Sequence, residues 1–152
     1  MKVDKMADSD IPIDAIFSII HRKHLIFTHK SAEHLNITGK QIPCLLMVSN
    51  RPGITQEEIA NIFQIDKGFI ARILRKLEDN EFIYRVRGPE NRRKHHIFLT
   101  EKGKSSIPEI KGIEEKWKKV VLAGLEKDEI SKLMGVLNLL AENSIEKIKN
   151  YS

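Results

Sequence analysis

The sequence predicts a mainly α-helical chain with one small β-hairpin, in which a central unit is flanked by two amphipathic arms. Three observations carry that expectation. Residues 56–77 hold two short stretches with apolar residues at helical spacing, separated by a two-residue turn. Residues 82–100 hold two runs rich in β-branched and aromatic side chains that bracket a turn-forming cluster, the pattern of a hairpin. Both ends of the chain carry apolar seams with steps of three and four, as helices that bury one face require.

Taken in order, residues 1–10 form a polar, acidic tail. From Ile11 to about Leu35, the residues Ile13, Ile16, Phe17, Ile20, His24 and Phe27 define one long helix, with Pro12 in a first turn that tolerates it. Residues 36–38 break that helix, and Thr38 with Gln41 fits a capping box for a second helix ending near Asn50. Residues 51–53 then make a turn. Thr55 with Glu58 fits another capping box, opening a short helix over Gln56 to Phe63. Gln64 and Ile65 turn the chain, and Asp66 is placed to cap the next helix.

In that next helix Ile70, Ile73, Leu74 and Leu77 face inward. The strands 82–87 and 94–100 flank the turn 88–93. Thr100 caps a helix that Gly103, Pro108 and Gly112 are expected to interrupt, with helical spacing resuming through Ile113, Trp117, Val120 and Val121. Gly124 or Leu125 separates it from a last helix, Lys127 to about Asn150, with Ile130, Leu133, Met134, Leu137, Leu140, Ala141 and Ile148 inward.

The outward face of the helix after Asp66 points to a function. It presents Lys67, Gly68, Phe69, Ala71, Arg72, Arg75 and Lys76: small residues and one aromatic at its start, cations along its flank. A helix that enters the B-DNA major groove, about 12 Å wide, needs this lack of bulk and these phosphate-seeking edges. Arg92 and Arg93 lie at the hairpin tip, making the whole a winged helix-turn-helix whose tip can send an arginine into a narrow minor groove. Thr55, Gln56 and Lys94 complete the expected DNA-contact set. The charge agrees: residues 66–104 hold eleven Lys/Arg against six Asp/Glu, and the remainder fifteen against fifteen, so the net +5 lies wholly in this segment.

These residues resemble a known family. IDKGFIAR at 65–72, LED at 77–79, PENRR at 89–93 and LTEKG at 99–103 are similar, in type and order, to the motifs of MarR-family transcriptional regulators. The resemblance covers about a third of the chain. Two positions depart from it: Asn91 stands where the family often has Asp, and Glu81 where it often has Gly, so that Asn80, which tolerates left-handed geometry, is expected to end the helix instead. The resemblance implies a homodimer joined by terminal helices and control by small phenolic or aromatic acids.

The arms lead to the same dimer from the residues alone. Helix-turn-helix proteins commonly pair so that two recognition helices meet major grooves about 34 Å apart, on a pseudo-palindromic duplex. The expected organisation is a dimerisation arm over 1–36, the DNA-binding domain over 37–104 and dimerisation helices over 105–152. The interface is expected at Ile13, Ile16, Phe17 and Ile20 of the first arm, with Leu133, Leu137 and Leu140 of the last. Arg22 has two readings. It is a solvated surface arginine, or it anchors the carboxylate of an aromatic acid beside His24, with Phe17, Leu25 or Met47 against the ring.

Other chemistry is thinly represented. His21 and His24 share a helical face, with His29 and His34 following, but neither Cys-x-x-Cys nor His-Glu-x-x-His accompanies them, so neither a metal nor another cofactor is expected. Cys44 could serve a thiol-responsive regulator, yet its apolar surroundings suit a buried small side chain. A single cysteine excludes an internal disulfide, and the absence of a signal-like or membrane-length apolar run points to a cytoplasmic protein. No phosphate loop or activated-nucleophile context suggests an enzyme. The alternatives are a thiol- or metal-responsive regulator of the same fold and a winged module binding RNA or protein; the last would need neither the arginine tip nor a symmetric dimer.

Overall fold

Apolar spacing decides most of the architecture. The computed structural model describes residues 11–89, 91 and 94–148. Their order is α1 (Ile13–Ser31), a 3-10 turn (Glu33–Leu35), α2 (Ile42–Asn50), β1 (Ile54–Thr55), α3 (Gln56–Phe63), α4 (Lys67–Asp79), β2 (Ile83–Arg87), β3 (His95–Leu99), α5 (Glu101–Val121) and α6 (Lys127–Ile148). The mainly helical fold with a small wing is the one expected. Its core lies between α2, α3, α4 and the sheet, where Leu45, Ile59, Ile70, Leu74, Leu77 and Ile97 are wholly shielded from solvent. Burying each such side chain contributes roughly 1.5–3 kcal/mol.

The wing is a three-stranded antiparallel sheet in the order β1-β3-β2. β2 and β3 pair through Ile83↔Leu99 to Arg87↔His95, as the hairpin pattern foretold. The extra strand β1 pairs Ile54 with Ile97 and Thr55 with His96. Two residues are too few to show alternation, so this strand leaves no mark in the sequence.

The first arm is shorter than its seam suggested. Pro12 stands before α1 as its cap, and the helix ends at Ser31. The buried Thr28 returns its hydroxyl to the His24 carbonyl at 2.8 Å, and a β-carbon at Gly39 would collide with that same hydroxyl. Gly39 therefore lets the chain after α1 fold back against it. In the link to α2, the buried Gln41 accepts from the Thr38 N–H at 2.7 Å, so half of the expected capping box forms, but the helix itself begins at Ile42. The C-terminal half of α1 is held on α5 by His24 with Glu114 at 3.1 Å, and by His24 and Phe27 packed around Trp117. His34, in the 3-10 turn, adds a 2.6 Å contact to Glu109.

The second arm corrects two expectations. α5 is unbroken despite Pro108, whose ring removes one N–H and in a helix interior costs about 3 kcal/mol. Ser106, Ile107, Ile110 and Ile113 are buried along its inner face, and Pro108 faces solvent, so packing outweighs the missing bond. Gly103 and Gly112 likewise lie within the helix, not at breaks. After Gly124, at φ +90°, α6 follows as expected. It buries no residue, however, and Met134, Ala141 and Ile148, expected inward, are exposed within this chain. The physical reason is that, among the described residues, no other element of this chain is laid along the seam of α6.

Candidate nucleic-acid interface

The helix-turn-helix is held at each end by local chemistry. Glu58 N–H donates to the Thr55 hydroxyl at 3.3 Å, while the Glu58 carboxylate accepts from the Thr55 N–H at 2.8 Å and its hydroxyl at 2.6 Å. These bonds hold the Glu58 carboxyl below the usual carboxylate range. Gln64 takes left-handed geometry at φ 52°, and Asp66 then caps α4 by accepting from the Phe69 N–H at 2.9 Å. The four inward residues Ile70, Ile73, Leu74 and Leu77 are all buried. That seating of α4 leaves Lys67, Gly68, Arg72, Arg75 and Lys76 exposed along its outer face, with Ala71 half-buried.

Four positions differ in character from a freely offered contact. Thr55 is buried, and its hydroxyl is committed to Glu58. Gln56 donates to the Lys67 carbonyl at 3.3 Å, bracing α3 against the start of α4. Lys67 pairs with Glu57 at 2.6 Å, and its hydrogen bond and charge hold that carboxyl below its ordinary range. Phe69 turns its ring inward, half-buried against the core. Helical spacing put Phe69 on the outer face because it reads only the angle around the axis; the cleft beside α1 draws the long ring back.

The wing root is well defined. Gly88 N–H donates to the Lys94 carbonyl at 2.8 Å, Lys94 N–H to the Asn91 carbonyl at 2.9 Å, and the Lys94 side chain is exposed. Arg92 and Arg93 lie outside the described residues. His96 and the Gly53 carbonyl lie 2.8 Å apart; the acceptor is a carbonyl, so Nδ1 carries the proton. One feature had no signal in the sequence: Arg85 meets Glu78 at 3.2 Å, joining β2 to α4. The left-handed position at φ 61° falls to Glu81, where the family often has Gly, and not to Asn80. Asn80 instead stays at φ −87° and receives Lys102 on its carbonyl at 2.7 Å.

Beside this surface lies a cleft of about 440 Å³ between α1, α2 and α4, with His21, His24, Lys40, Pro43, Phe63 and Phe69 among its lining. Of the residues expected around an effector, His24 and Leu25 line it, and Arg22, Phe17 and Met47 do not. Arg22 is exposed, its Nε donating to the Ser18 carbonyl of its own helix at 3.3 Å. Phe17 lies two turns before His24 at the exposed end of α1, and Met47 packs against the core from α2. Cys44 also borders the cleft, but burial pushes its thiol up to about 11, the reverse of what a sensor thiolate needs. Among the described residues, no three His, Cys, Asp or Glu side chains gather as a metal site would require. No described helix is long and apolar enough to cross a membrane.

Comparison with known proteins agrees with this geometry. A family model described as the MarR family matches residues 37–95. An HTH-type transcriptional regulator of Bacillus subtilis, YybA, itself uncharacterised, is 30% identical over 109 residues, covering 72% of this chain and 73% of that protein. A crystal structure of MarR superposes with a TM-score of 0.83 at 38% identity, covering 96% of this chain and 99% of that one. A putative MarR-family regulator from Listeria monocytogenes, solved with a 26mer DNA, gives a TM-score of 0.84 at 28% identity over 90% of this chain and 91% of that one. With its capped helix-turn-helix, cationic α4 face and sheet-rooted wing, the chain belongs to the MarR family of DNA-binding transcriptional regulators.

Proposed function

We propose that this protein is a homodimeric repressor of a pseudo-palindromic duplex, acting in the cytoplasm and released from DNA by a small anionic aromatic acid. The observation that carries the reading is the pairing of two unequal surfaces. The α4 face offers Arg72, Arg75 and Lys76 to DNA, while the arms leave apolar side chains uncovered. Ile13, Ile16, Phe17 and Ile20 of α1 are exposed, and Leu133, Leu137 and Leu140 of α6 are only partly covered. Apolar seams of this length are favourable to bury, and a second copy of the chain supplies a matching seam. In this organisation residues 1–36 and 105–152 form the dimer and 37–104 read the operator. Base edges are met by Gly68, Ala71 and Arg72, phosphates by Arg75, Lys76 and Lys94, and the minor groove by Arg92 or Arg93.

The Listeria relative's DNA complex supports the duplex as ligand. The cleft has the size of a small-ligand site, and Lys40 with His21 beside it suits a carboxylate on an aromatic ring better than Arg22 does, while His24, held by Glu114, forms part of the wall. Occupancy would lower operator affinity only through tighter binding to the DNA-incompetent form, a coupling of about 5- to 150-fold.

Sedimentation at micromolar concentration should give a species near twice 17.5 kDa. Leu137→Glu should give monomers and lose the full operator while the chain stays folded. A monomer that protects a single half-site would overturn the dimer. An operator affinity unchanged across a panel of aromatic acids would overturn the effector.

A further inference from the structure

Phe69 belongs to two sites at once. Its ring forms part of the wall of the α1–α2–α4 cleft, beside Leu25, Pro43 and Ile65. Two cations also address that ring: the Arg72 guanidinium lies 5.7 Å from its centroid and the Lys40 ammonium 5.8 Å. Arg72 follows Phe69 by one helical turn, and helix side chains lean toward the N-terminus, so its head comes to rest over the first turn of α4. A separate observation fixes the same place: a β-carbon built on Gly68 would stand 3.8 Å from Arg72 Nη1. The guanidinium is thus held over the beginning of α4, the part of a recognition helix that meets base edges.

An exposed arginine has many rotamers, and ordering it on DNA costs side-chain entropy. A ring within cation–π distance narrows that choice before DNA arrives. We propose that Phe69 is a positioning residue for Arg72, presetting the guanidinium for base readout, and that displacing the ring from the cleft side releases it. The second half rests on the effector reading. An anionic occupant would both press on the ring and draw Lys40 away from it, so one event in the cleft reaches a side chain on the DNA face. Phe69 need not touch DNA for this. The role also accounts for an aromatic at a position where a recognition helix gains nothing from bulk.

The positioning claim is tested without any effector by a double-mutant cycle on a selected operator, at a temperature where circular dichroism shows every variant folded. Phe69→Leu keeps an apolar wall but removes the ring. It should weaken operator binding about two- to fivefold and flatten discrimination at the base pairs Arg72 reads. Phe69→Tyr should restore both, and Phe69→Leu should have no further effect in an Arg72→Ala background. The same loss in both backgrounds, or unchanged base preference in Phe69→Leu, would overturn the proposal.

The second half uses benzoate as probe and the single Trp117, which packs against the cleft residue His24 at 5.3 Å between ring centroids, as its fluorescent reporter. Benzoate, at concentrations that saturate the Trp117 emission change of each protein separately, should lower operator affinity only in wild type and not in Phe69→Leu. Equal loss of operator affinity in both would overturn the relay. No response of Trp117 or operator affinity in wild type, to benzoate or to salicylate, would instead remove the effector reading and leave the cycle to decide the positioning.

Discussion

The backbone of Gly103 lies against the Phe82 carbonyl so closely that no β-carbon fits between them. This contact seats the first turn of α5 on the strand leading into the wing, where the Thr100 hydroxyl also donates to the Glu81 carbonyl at 2.6 Å. Gly103→Ala should therefore destabilise by about 1–3 kcal/mol or more, although alanine is the better helix former. Urea denaturation should show a lower midpoint at unchanged slope. A stabilised variant would mean that the two segments separate at little cost.

Glu81 offers the opposite case. At φ 61° its side chain sits in a conformation that glycine adopts freely, and it is exposed. Glu81→Gly should stabilise the fold by about 0.5–1 kcal/mol, the relief of left-handed strain outweighing glycine's greater freedom in the unfolded chain. Operator affinity should stay unchanged. A loss of stability would show that the carboxylate makes contacts worth more than the strain.

The capping box of α3 should make stability depend on pH in a defined direction. The Thr55 hydroxyl and then its N–H hold the Glu58 carboxyl below its ordinary value. A depressed carboxyl contributes stability above its unfolded pKa and loses it as pH falls through the folded one. Thr55→Ala should cost about 1 kcal/mol at neutral pH. The gap from wild type should narrow as the solution is taken below about pH 4. A gap that stayed constant to acid would mean that the hydroxyl contributes by packing alone.

Lys76 and Arg72 should separate in DNA binding. Lys76 is exposed on the flank of α4, and Lys76→Ala should weaken all duplexes alike and reduce the salt slope by about 0.9. Arg72→Ala should change which sequences are preferred. Filter binding across a salt series, run on the selected operator and on mismatched duplexes, distinguishes the two. An altered preference in Lys76→Ala would reverse the assignment.

What could be read in the sequence was whatever is local and periodic. The Thr55–Glu58 box, the Asp66 cap and the inward stripe from Ile70 to Leu77 lie within one or two helical turns, so spacing alone reveals them. Pro108 misled because local propensity counts a lost N–H but cannot see the buried face of Ile107, Ile110 and Ile113. The candidate cleft was less legible. It joins α1 to α4 across residues distant in the chain, so charge and helical spacing point to Arg22, whereas Lys40, in a loop, carries no periodic signal. The inward turn of Phe69 depends on that cleft and was hidden with it.

β3 lies between β1 and β2, with Gly53 N–H donating to the Ile97 carbonyl at 2.9 Å beside the His96 bond to the Gly53 carbonyl. The root of the wing is thereby tied to the residues that open α3, and Arg85 ties its other edge to α4. In terms of amide exchange, the backbone protons of Gly53, β3 and the buried turns of α4 should open together, as one cooperative unit with a shared free energy. A body that opens only as a whole has no internal joint with which to adjust its grip. In the proposed dimer, any change in the distance between two such bodies would be absorbed by the helices that carry them, and those helices should exchange faster.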